Sequence, residues 1–172
     1  MTKAHLRAVY PMAKKDKQPK RPHGVRIKNR RAWRDFHIEA KVECGIELLG
    51  TEVKSLRAGQ VKIDEAHARV KRGELFLIGA NFALYPQAAP GMQHVPTRER
   101  KLLLHRRQIN EIEAHVRQKG RTVVPLEVYF KRGWAKCVLG LAVGKRQFDK
   151  RADLKKREQE REMSRHMRRS RR

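Results

Sequence analysis

Two cations in the segment GTEVKSLRAG, residues 50–59, have a spacing suited to binding phosphate. Lys54 and Arg57 are three positions apart, so a short helix would present both on one side, towards phosphate groups. We expect Glu52 to organise these cations rather than to read a base. In the alternative, the apolar residues of the segment merely seat the helix on the fold while the charges stay solvated. The two interpretations are compatible.

Residue patterns typical of catalysis or metal binding do not occur in this sequence. The eight histidines are scattered, and we find no HxH, HExxH or DxD cluster, glycine-rich phosphate loop or nucleophile elbow. Cys44 and Cys137 are 93 positions apart, without a CxxC pattern or a third partner, which argues against a zinc site or a disulfide framework. We therefore predict buried thiols in a protein that is not an enzyme and has no metal or cofactor.

The net charge of +25 is concentrated at the two ends of the chain. Residues 1–31 contribute +10 and residues 145–172 contribute +8, whereas residues 32–144 contribute only +7. Eight of the ten aromatic residues and nearly all β-branched residues lie in that middle part, where a fold must form. A small folded body with two basic arms is typical of a nucleic-acid-binding protein.

The distribution of charge suggests three parts: a basic, mostly disordered N-terminal arm (residues 1–31), one folded domain that binds nucleic acid (residues 32–144) and a basic C-terminal tail (residues 145–172). The middle part is long enough for one hydrophobic core and too short for two. Apolar runs never approach the roughly 18 to 20 residues needed to cross a bilayer, and no hydrophobic segment follows the basic N-terminus. We expect a soluble, cytoplasmic protein.

Strand patterns dominate the middle part. Apolar and polar residues alternate over residues 36–43, which predicts a half-buried strand that ends at Gly45. A second run starts at Ile46. Two hairpins are predicted, one between residues 66–70 and 74–83 with Gly73 in its turn, the other between residues 124–130 and 134–143. Because proline cannot donate to a sheet ladder, Pro125 should mark an edge or a strand start.

Helix signals are fewer. Thr51 is placed to cap a short helix over residues 52–57, with Gly59 just past its end. Ile109, Ile112 and Val116 recur at helical spacing and predict an amphipathic helix over residues 106–119. Residues 101–104 are ambiguous between a short buried strand and the first turn of that helix, and residues 85–96 should be a loop.

These elements predict a mainly β fold. Six or so short strands, mostly antiparallel, with two or three short helices are best accommodated by a small antiparallel β-barrel of OB-like form, closed or nearly closed. Disordered basic arms would flank this barrel at its N- and C-terminal ends.

Three motifs in this order resemble a known family. They are GTEVKSLRAG, then KLLLH at residues 101–105 directly after PTRER, and GKRQFDKR at residues 144–151. Together they are similar to the bacterial small protein B family, the SsrA-binding proteins that partner transfer-messenger RNA in ribosome rescue. The similarity runs from about Asn29 to the tail. It implies a protein that binds the tRNA-like domain of transfer-messenger RNA, at the elbow and D-arm, and brings it to stalled ribosomes with elongation factor Tu.

The resemblance also implies specific RNA contacts, which fall on Asn29, Glu43, Leu103 and His105. The Asn29 amide can donate and accept, and Glu43 can accept from base or sugar donors. Leu103 would be an apolar platform and His105 could stack on a splayed nucleotide; alternatively, Leu103 belongs to the core and His105 starts a helix. The full predicted RNA-binding set is Asn29, Glu43, Glu52, Lys54, Arg57, Lys101, Leu103 and His105.

The C-terminal tail holds a latent helix. It has too few large apolar residues to offset the entropy of ordering, yet pairs such as Asp153 and Arg157 have helix-stabilising spacing. The resemblance implies that the tail enters the empty messenger channel of the small ribosomal subunit, beyond the decoding site, and becomes helical there. The predicted tail residues are Gly144, Lys145, Arg146, Asp149, Lys150 and Arg151.

Two other classes of protein fit parts of the sequence. A ribosomal protein or assembly factor can also be a basic barrel with arms, but it would bind ribosomal RNA without preferring the tRNA-like domain. An RNA-processing enzyme is the second alternative, suggested by the histidines and acids and opposed by their scattered positions.

Overall fold

A computed structural model describes residues 24–89 and 91–145 and, in the tail, residues 159, 162, 163 and 167. The elements within residues 24–145 are β1 (Arg26–Lys28), α1 (Arg30–Asp35), β2 (Phe36–Ile46), α2 (Gly50–Arg57), β3 (Val61–Lys62), β4 (His67–Lys71), β5 (Glu74–Ile78), β6 (Asn81–Phe82), β7 (Arg100–Leu103), α3 (Arg106–Val116), β8 (Arg121–Lys131) and β9 (Trp134–Gly144). The predicted disorder of the arms falls mostly outside the described residues. The four described residues of the outer tail have helical backbone.

A seven-stranded antiparallel sheet dominates the fold, in the order β1-β8-β9-β2-β7-β5-β4, and β3 pairs with β6 in a separate small sheet. This confirms the mainly β, antiparallel prediction with three helices. The large sheet curls until β4 lies against β8. Among the described residues, however, no backbone ladder joins its two end strands, so a closed barrel is not found.

Asn29 helps to explain the open seam beside β8. Its backbone N–H donates to the Leu126 carbonyl at 2.8 Å, and its side-chain amide donates to the Pro125 carbonyl at 3.0 Å. Pro125 itself has no N–H to donate. At this place β8 therefore cannot offer these two carbonyls, or an N–H at Pro125, to another strand. Pro125 lies inside the strand rather than at its start, but no ladder formed by the described residues reaches it on the side away from β9, so it marks an open edge as predicted.

The two faces of the large sheet are covered differently. One face holds the main core, in which Leu56 of α2 and Ile112 of α3 pack with strand residues such as Leu139. On the other face, Ala32 of α1 packs with Val124, Leu126 and Ala142 in a smaller core. Helix α1 covers only one end of that second face, which leaves the other end open.

Both predicted hairpins have two-residue turns. In the β4–β5 turn, Arg72 and Gly73 have φ angles of 52° and 75°, and in the β8–β9 turn, Arg132 and Gly133 have φ angles of 53° and 85°. Two consecutive positive φ angles are typical of the tight turns that suit strand twist. The positive φ predicted for Gly73 is confirmed.

Several predicted element boundaries were wrong. β2 continues through Gly45 to Ile46, because Gly45 lies against Leu103 of β7, where an added Cβ would be 3.2 Å from the Leu103 Cβ. The run after Glu74 breaks at Gly79, whose φ is 74°. The ambiguous residues 101–104 belong mainly to β7, and α3 ends at Val116 rather than at residue 119.

The beginning of the fold was not foreseen. β1 and the first residues of α1 precede residue 32, where the sequence placed the end of the N-terminal arm. β1 is only three residues long and pairs with residues 127–129 of β8. Its pattern is too short to stand out within a basic segment.

The cysteines are buried free thiols, as predicted. They face each other across β2 and β9, and the Cys44 Sγ donates to the Cys137 carbonyl at 3.3 Å. The hydrogen bond with Cys44 and complete burial raise the pKa of the Cys137 thiol well above its ordinary value.

We expect both thiols to resist a thiol reagent in the native protein, because the thiolate is the reactive form and neither sulfur is accessible. Titration with Ellman's reagent at neutral pH should label both cysteines rapidly in denaturant and only slowly in native buffer. Fast labelling of native protein would contradict the burial of the two sulfurs.

Candidate RNA interface

A row of side chains crosses five strands on the face opposite the main core. Ladder partners share a face, and the register aligns Arg26 of β1, Tyr129 of β8, Lys136 of β9, Gly45 of β2 and Leu103 of β7. Gly45 has no side chain, so the row dips between Lys136 and Leu103. The dip is the floor of a groove.

This central groove, as we call it, is open to solvent and lies between β2, β5, β7, β9 and the start of α3. Four residues of the predicted RNA-binding set line it, although they are far apart in the sequence. Its lining residues include Glu43, Gly45, Glu74, Lys101, Leu103, His105 and Lys136. The structure therefore brings together half of the predicted set at one place.

Glu43 is held in position by its neighbours on the sheet. Its carboxylate accepts from the Tyr129 hydroxyl at 2.6 Å and from the Lys131 ammonium at 2.9 Å. These hydrogen bonds lower the pKa of Glu43, and burial together with the bond to Glu43 raises the pKa of Tyr129 to about 12. At neutral pH the groove thus presents an ionised, oriented acceptor beside cations.

Leu103 and His105 are both exposed. The Leu103 side chain is 51% exposed, so the alternative that it belongs to the core was wrong. His105 is the N-cap of α3, and its backbone N–H donates to the Gln108 side chain at 3.2 Å. Its backbone starts the helix, which confirms that interpretation, and its ring remains accessible for the predicted RNA contact.

The lysines of the central groove differ in their partners. Lys101 pairs with Glu74, and that hydrogen bond raises the pKa of Lys101. No carboxylate in the described part of the chain forms an ion pair with Lys136. The charge of Lys136 is felt by Glu43, whose pKa it helps to lower, but Lys136 is not held in an ion pair there.

Lys54 and Arg57 are exposed on α2, as predicted, but each lies over an aromatic ring. The Lys54 Nζ is 4.9 Å from the centre of the Tyr85 ring, and the Arg57 guanidinium is 5.5 Å from that of Phe130. Such contacts fix a flexible cation without neutralising its charge. Both remain able to contact phosphates.

Glu52 is an internal residue, and a direct RNA contact does not fit its burial. The cations that it organises are Arg98 and Arg100, not Lys54 and Arg57 as predicted. The Glu52 side chain is fully buried, accepts from Arg98 at 2.6 Å and from Arg100 at 2.8 Å, and also caps the Leu49 N–H at 2.8 Å. Burial by itself would raise the pKa of Glu52, but the bonds from Arg98 and Leu49 and the charge of Arg100 lower it overall. Thr51 does not cap α2 as predicted; its hydroxyl contacts the His94 ring.

Asn29 is also engaged inside the fold. It is 2% exposed, its Oδ1 accepts from the Ala32 N–H at 2.8 Å, and its amide donates to the Ile63 and Pro125 carbonyls. Its hydrogen-bonding groups are used to cap α1 and to connect β1 with the sheet. A direct RNA contact by this side chain does not fit that burial, and its contribution to the surface is structural.

The start of the tail is anchored beside α1. The Gly144 N–H donates to the Gly120 carbonyl at 3.3 Å, and the Lys145 N–H donates to the Asp35 carbonyl at 3.0 Å. The Lys145 Nζ donates to the Trp33 carbonyl at 3.1 Å. The remaining predicted tail residues lie outside the described part of the chain: Arg146, Asp149, Lys150 and Arg151.

Three surface residues were missed by the sequence analysis. Tyr129 and Lys136 belong to strands whose register is needed to place them beside Glu43. Trp134 follows the glycine of the β8–β9 turn and is 74% exposed. Its signal was readable, because an aromatic residue directly after a two-residue turn lies at the end of a hairpin.

Metal-binding clusters and membrane-spanning helices are both absent from the described residues. No group of three His, Cys, Asp or Glu residues there could hold a metal ion. None of the helices in that part of the chain is long and apolar enough to span a membrane.

Comparison with known proteins gives consistent matches. The family model for the SmpB protein matches residues 26–169. An SsrA-binding protein of Acetivibrio thermocellus is 47% identical over 156 residues, which cover 91% of this chain and 97% of that protein. The SsrA-binding protein of Myxococcus xanthus is 49% identical over 148 residues, covering 85% and 91%. A chain from the solved structure "tmRNA-SmpB: a journey to the center of the bacterial ribosome" has a TM-score of 0.61 at 46% identity, covering 72% of this chain and 86% of that one.

Proposed function

The chain belongs to the SmpB protein family, and we propose that it binds the tRNA-like domain of transfer-messenger RNA through the central groove and delivers that RNA to stalled ribosomes for trans-translation. Its relatives are SsrA-binding proteins, and one similar chain comes from a structure of a tmRNA–SmpB assembly on the bacterial ribosome. The observation that carries the proposal is the convergence of Glu43, Lys101, Leu103 and His105 on one groove.

The chemistry of the groove suits structured RNA with unpaired nucleotides. Glu43 can accept from a base or a ribose 2′-hydroxyl, and Leu103 offers an apolar surface for a base. Lys54, Arg57, Lys101 and Lys136 are directed at phosphates, which fix position rather than sequence. Asn29 and Glu52 support this surface from within, by connecting β1 and α1 and by organising α2.

The tail acts at a second site. Its residues Gly144, Lys145, Arg146, Asp149, Lys150 and Arg151 lead into the vacant messenger channel of the small subunit, where a helix forms along the ribosomal RNA. The contacts of Lys145 with α1 set the direction in which the tail leaves the folded domain. Elongation factor Tu accompanies the complex in the cytoplasm. The folded domain is a nearly closed, OB-like barrel without enzymatic activity, and the residues before β1 form a basic arm.

A competition assay tests the proposal against the ribosomal-protein alternative. Labelled tRNA-like domain should be displaced from the protein by unlabelled tRNA-like domain at much lower concentrations than by a ribosomal RNA fragment of equal length. Equal displacement by both RNAs would contradict the proposal, because phosphate attraction alone does not distinguish them.

Lys136→Ala should reduce the salt dependence of RNA binding by about one unit of the log–log slope, since each neutralised phosphate releases close to one counterion. Lys62→Ala makes the same charge change on β3, in the separate small sheet, and should leave the slope unchanged. Filter binding at several salt concentrations measures both. Equal slopes for the two variants would show that Lys136 does not contact the RNA.

A further inference from the structure

Trp134 is a large aromatic side chain that is exposed to solvent. It is 74% exposed, at the start of β9, directly after a turn whose two positive φ angles fix its backbone. The other tryptophan, Trp33, is 42% exposed and lies under the Lys41 ammonium at 4.7 Å. Trp134 has no such cation among the described residues. Its position is defined while its ring is accessible.

A second concavity lies beside Trp134 and continues the central groove. Its apolar wall consists of Leu48, Val53, Leu103, Phe130, Trp134 and Ala135. Gly45, Leu103 and Lys136 line both depressions. A ligand in the central groove therefore reaches Trp134 without leaving the surface.

Charge at this place fits a nucleotide better than an apolar peptide. The Arg57 guanidinium lies over the Phe130 ring, and Lys136 lines the same wall. Within the described part of the chain, Glu47 is the one carboxylate that lines this second concavity. Trp134 and Lys136 together supply the two parts of a nucleotide contact, a ring face for the base and a cation for its phosphate.

We propose that Trp134 stacks on an unpaired base of the RNA that occupies the central groove. The inference rests on the proposed function, since it assigns one more contact to the same RNA. Stacking uses the face of the ring and is tolerant of base identity, whereas Glu43 and His105 can discriminate through hydrogen bonds. Trp134 thus adds affinity and orientation rather than sequence selectivity.

Tryptophan fluorescence tests the contact directly, because the chain has only two tryptophans. In Trp33→Phe, Trp134 is the sole emitter, and saturation with the tRNA-like domain should quench it with the dissociation constant found by filter binding. In Trp134→Phe, the remaining Trp33 should be quenched little. Unchanged Trp134 emission at full RNA saturation would overturn the inference while leaving the proposed function intact.

Affinity measurements provide the second readout. Trp134→Ala should weaken binding of the tRNA-like domain about 5- to 150-fold, the range that loss of one base–aromatic stack produces, with the salt slope unchanged. Trp33→Ala is the matched control and should bind like wild type. Wild-type affinity of Trp134→Ala would overturn the inference. A wild-type dimer in sedimentation that is absent from Trp134→Ala would also overturn it, because the ring would then contact a second copy of the chain. Failure of the wild-type protein to bind the RNA would instead overturn the proposed function.

Discussion

A chain that ends at Lys145 is expected to keep its affinity for the tRNA-like domain and to lose tagging on stalled ribosomes. The central groove lies entirely on the folded domain, and Lys145 still closes β9 against α1 through its bond to the Asp35 carbonyl. The truncation removes the cationic segment proposed to enter the messenger channel. Filter binding and an in vitro tagging assay on ribosomes stalled on truncated messages measure the two activities separately.

Point variants show whether the tail acts through specific residues or through charge alone. Lys150→Glu with Arg151→Glu should impair tagging strongly, whereas Lys155→Glu with Lys156→Glu makes the same charge change and should impair it less. Equal loss of tagging in the two double variants would show that the tail acts through its charge alone. Equal loss of RNA binding and tagging on truncation would contradict separate roles for the folded domain and the tail.

Glu52→Gln should destabilise the fold severely, by about 3–5 kcal/mol. It leaves the fully buried Arg100 and the partly buried Arg98 without their shared carboxylate. Because small domains are stable by only about 5–15 kcal/mol, much of the fold's free energy of unfolding would be lost. Urea unfolding followed by circular dichroism measures the change.

The matched control is Glu65→Gln, which removes the same charge from a pair on the surface. Glu65 is 82% exposed and pairs with Arg31, so the free energy of unfolding should change by no more than about 1 kcal/mol. A small effect of Glu52→Gln, similar to that of the control, would show that the buried cluster is not needed for stability.

The pH dependence of this effect follows from the lowered pKa of Glu52. A group with a lowered folded-state pKa contributes stability that is present above its unfolded pKa and is lost as the pH falls through the folded value. The ordinary pKa of a glutamate carboxyl, which applies to the unfolded chain, is 4.5. The difference in stability between wild type and Glu52→Gln should therefore be constant at neutral pH and shrink on acidification below that value.

Local patterns were sufficient for most of β2, for the two hairpins and for α3. The alternation in β2, the turn glycine Gly73 and the helical spacing of Ile109 and Ile112 each depend on nearby residues only. The ending of β2 was misjudged because Gly45 is needed for the approach of β7, which is distant in the sequence. The open edge at Pro125 was predicted from its missing N–H, whereas the Asn29 amide that binds the Pro125 carbonyl is distant in the sequence and was not foreseen.

The candidate site was predictable as a set of residues but not as a surface. Glu43, Leu103 and His105 were identified through the family resemblance, and only the sheet register shows that they share a groove with Lys136. The resemblance placed Asn29 among the RNA contacts, and the motif at residues 50–59 added Glu52, because a sequence motif does not separate residues that touch a ligand from residues that support them. Burial and hydrogen-bond partners make that distinction.

The RNA that accompanies the protein from its own cells tests the central claim most directly. Purification under native conditions, followed by sequencing of the bound RNA, should yield transfer-messenger RNA as the dominant species, and a variant with Leu103→Asp and Lys136→Glu in the central groove should lose it. Recovery of ribosomal RNA alone, or retention of transfer-messenger RNA by that variant, would contradict the assignment of the groove as the RNA-binding site.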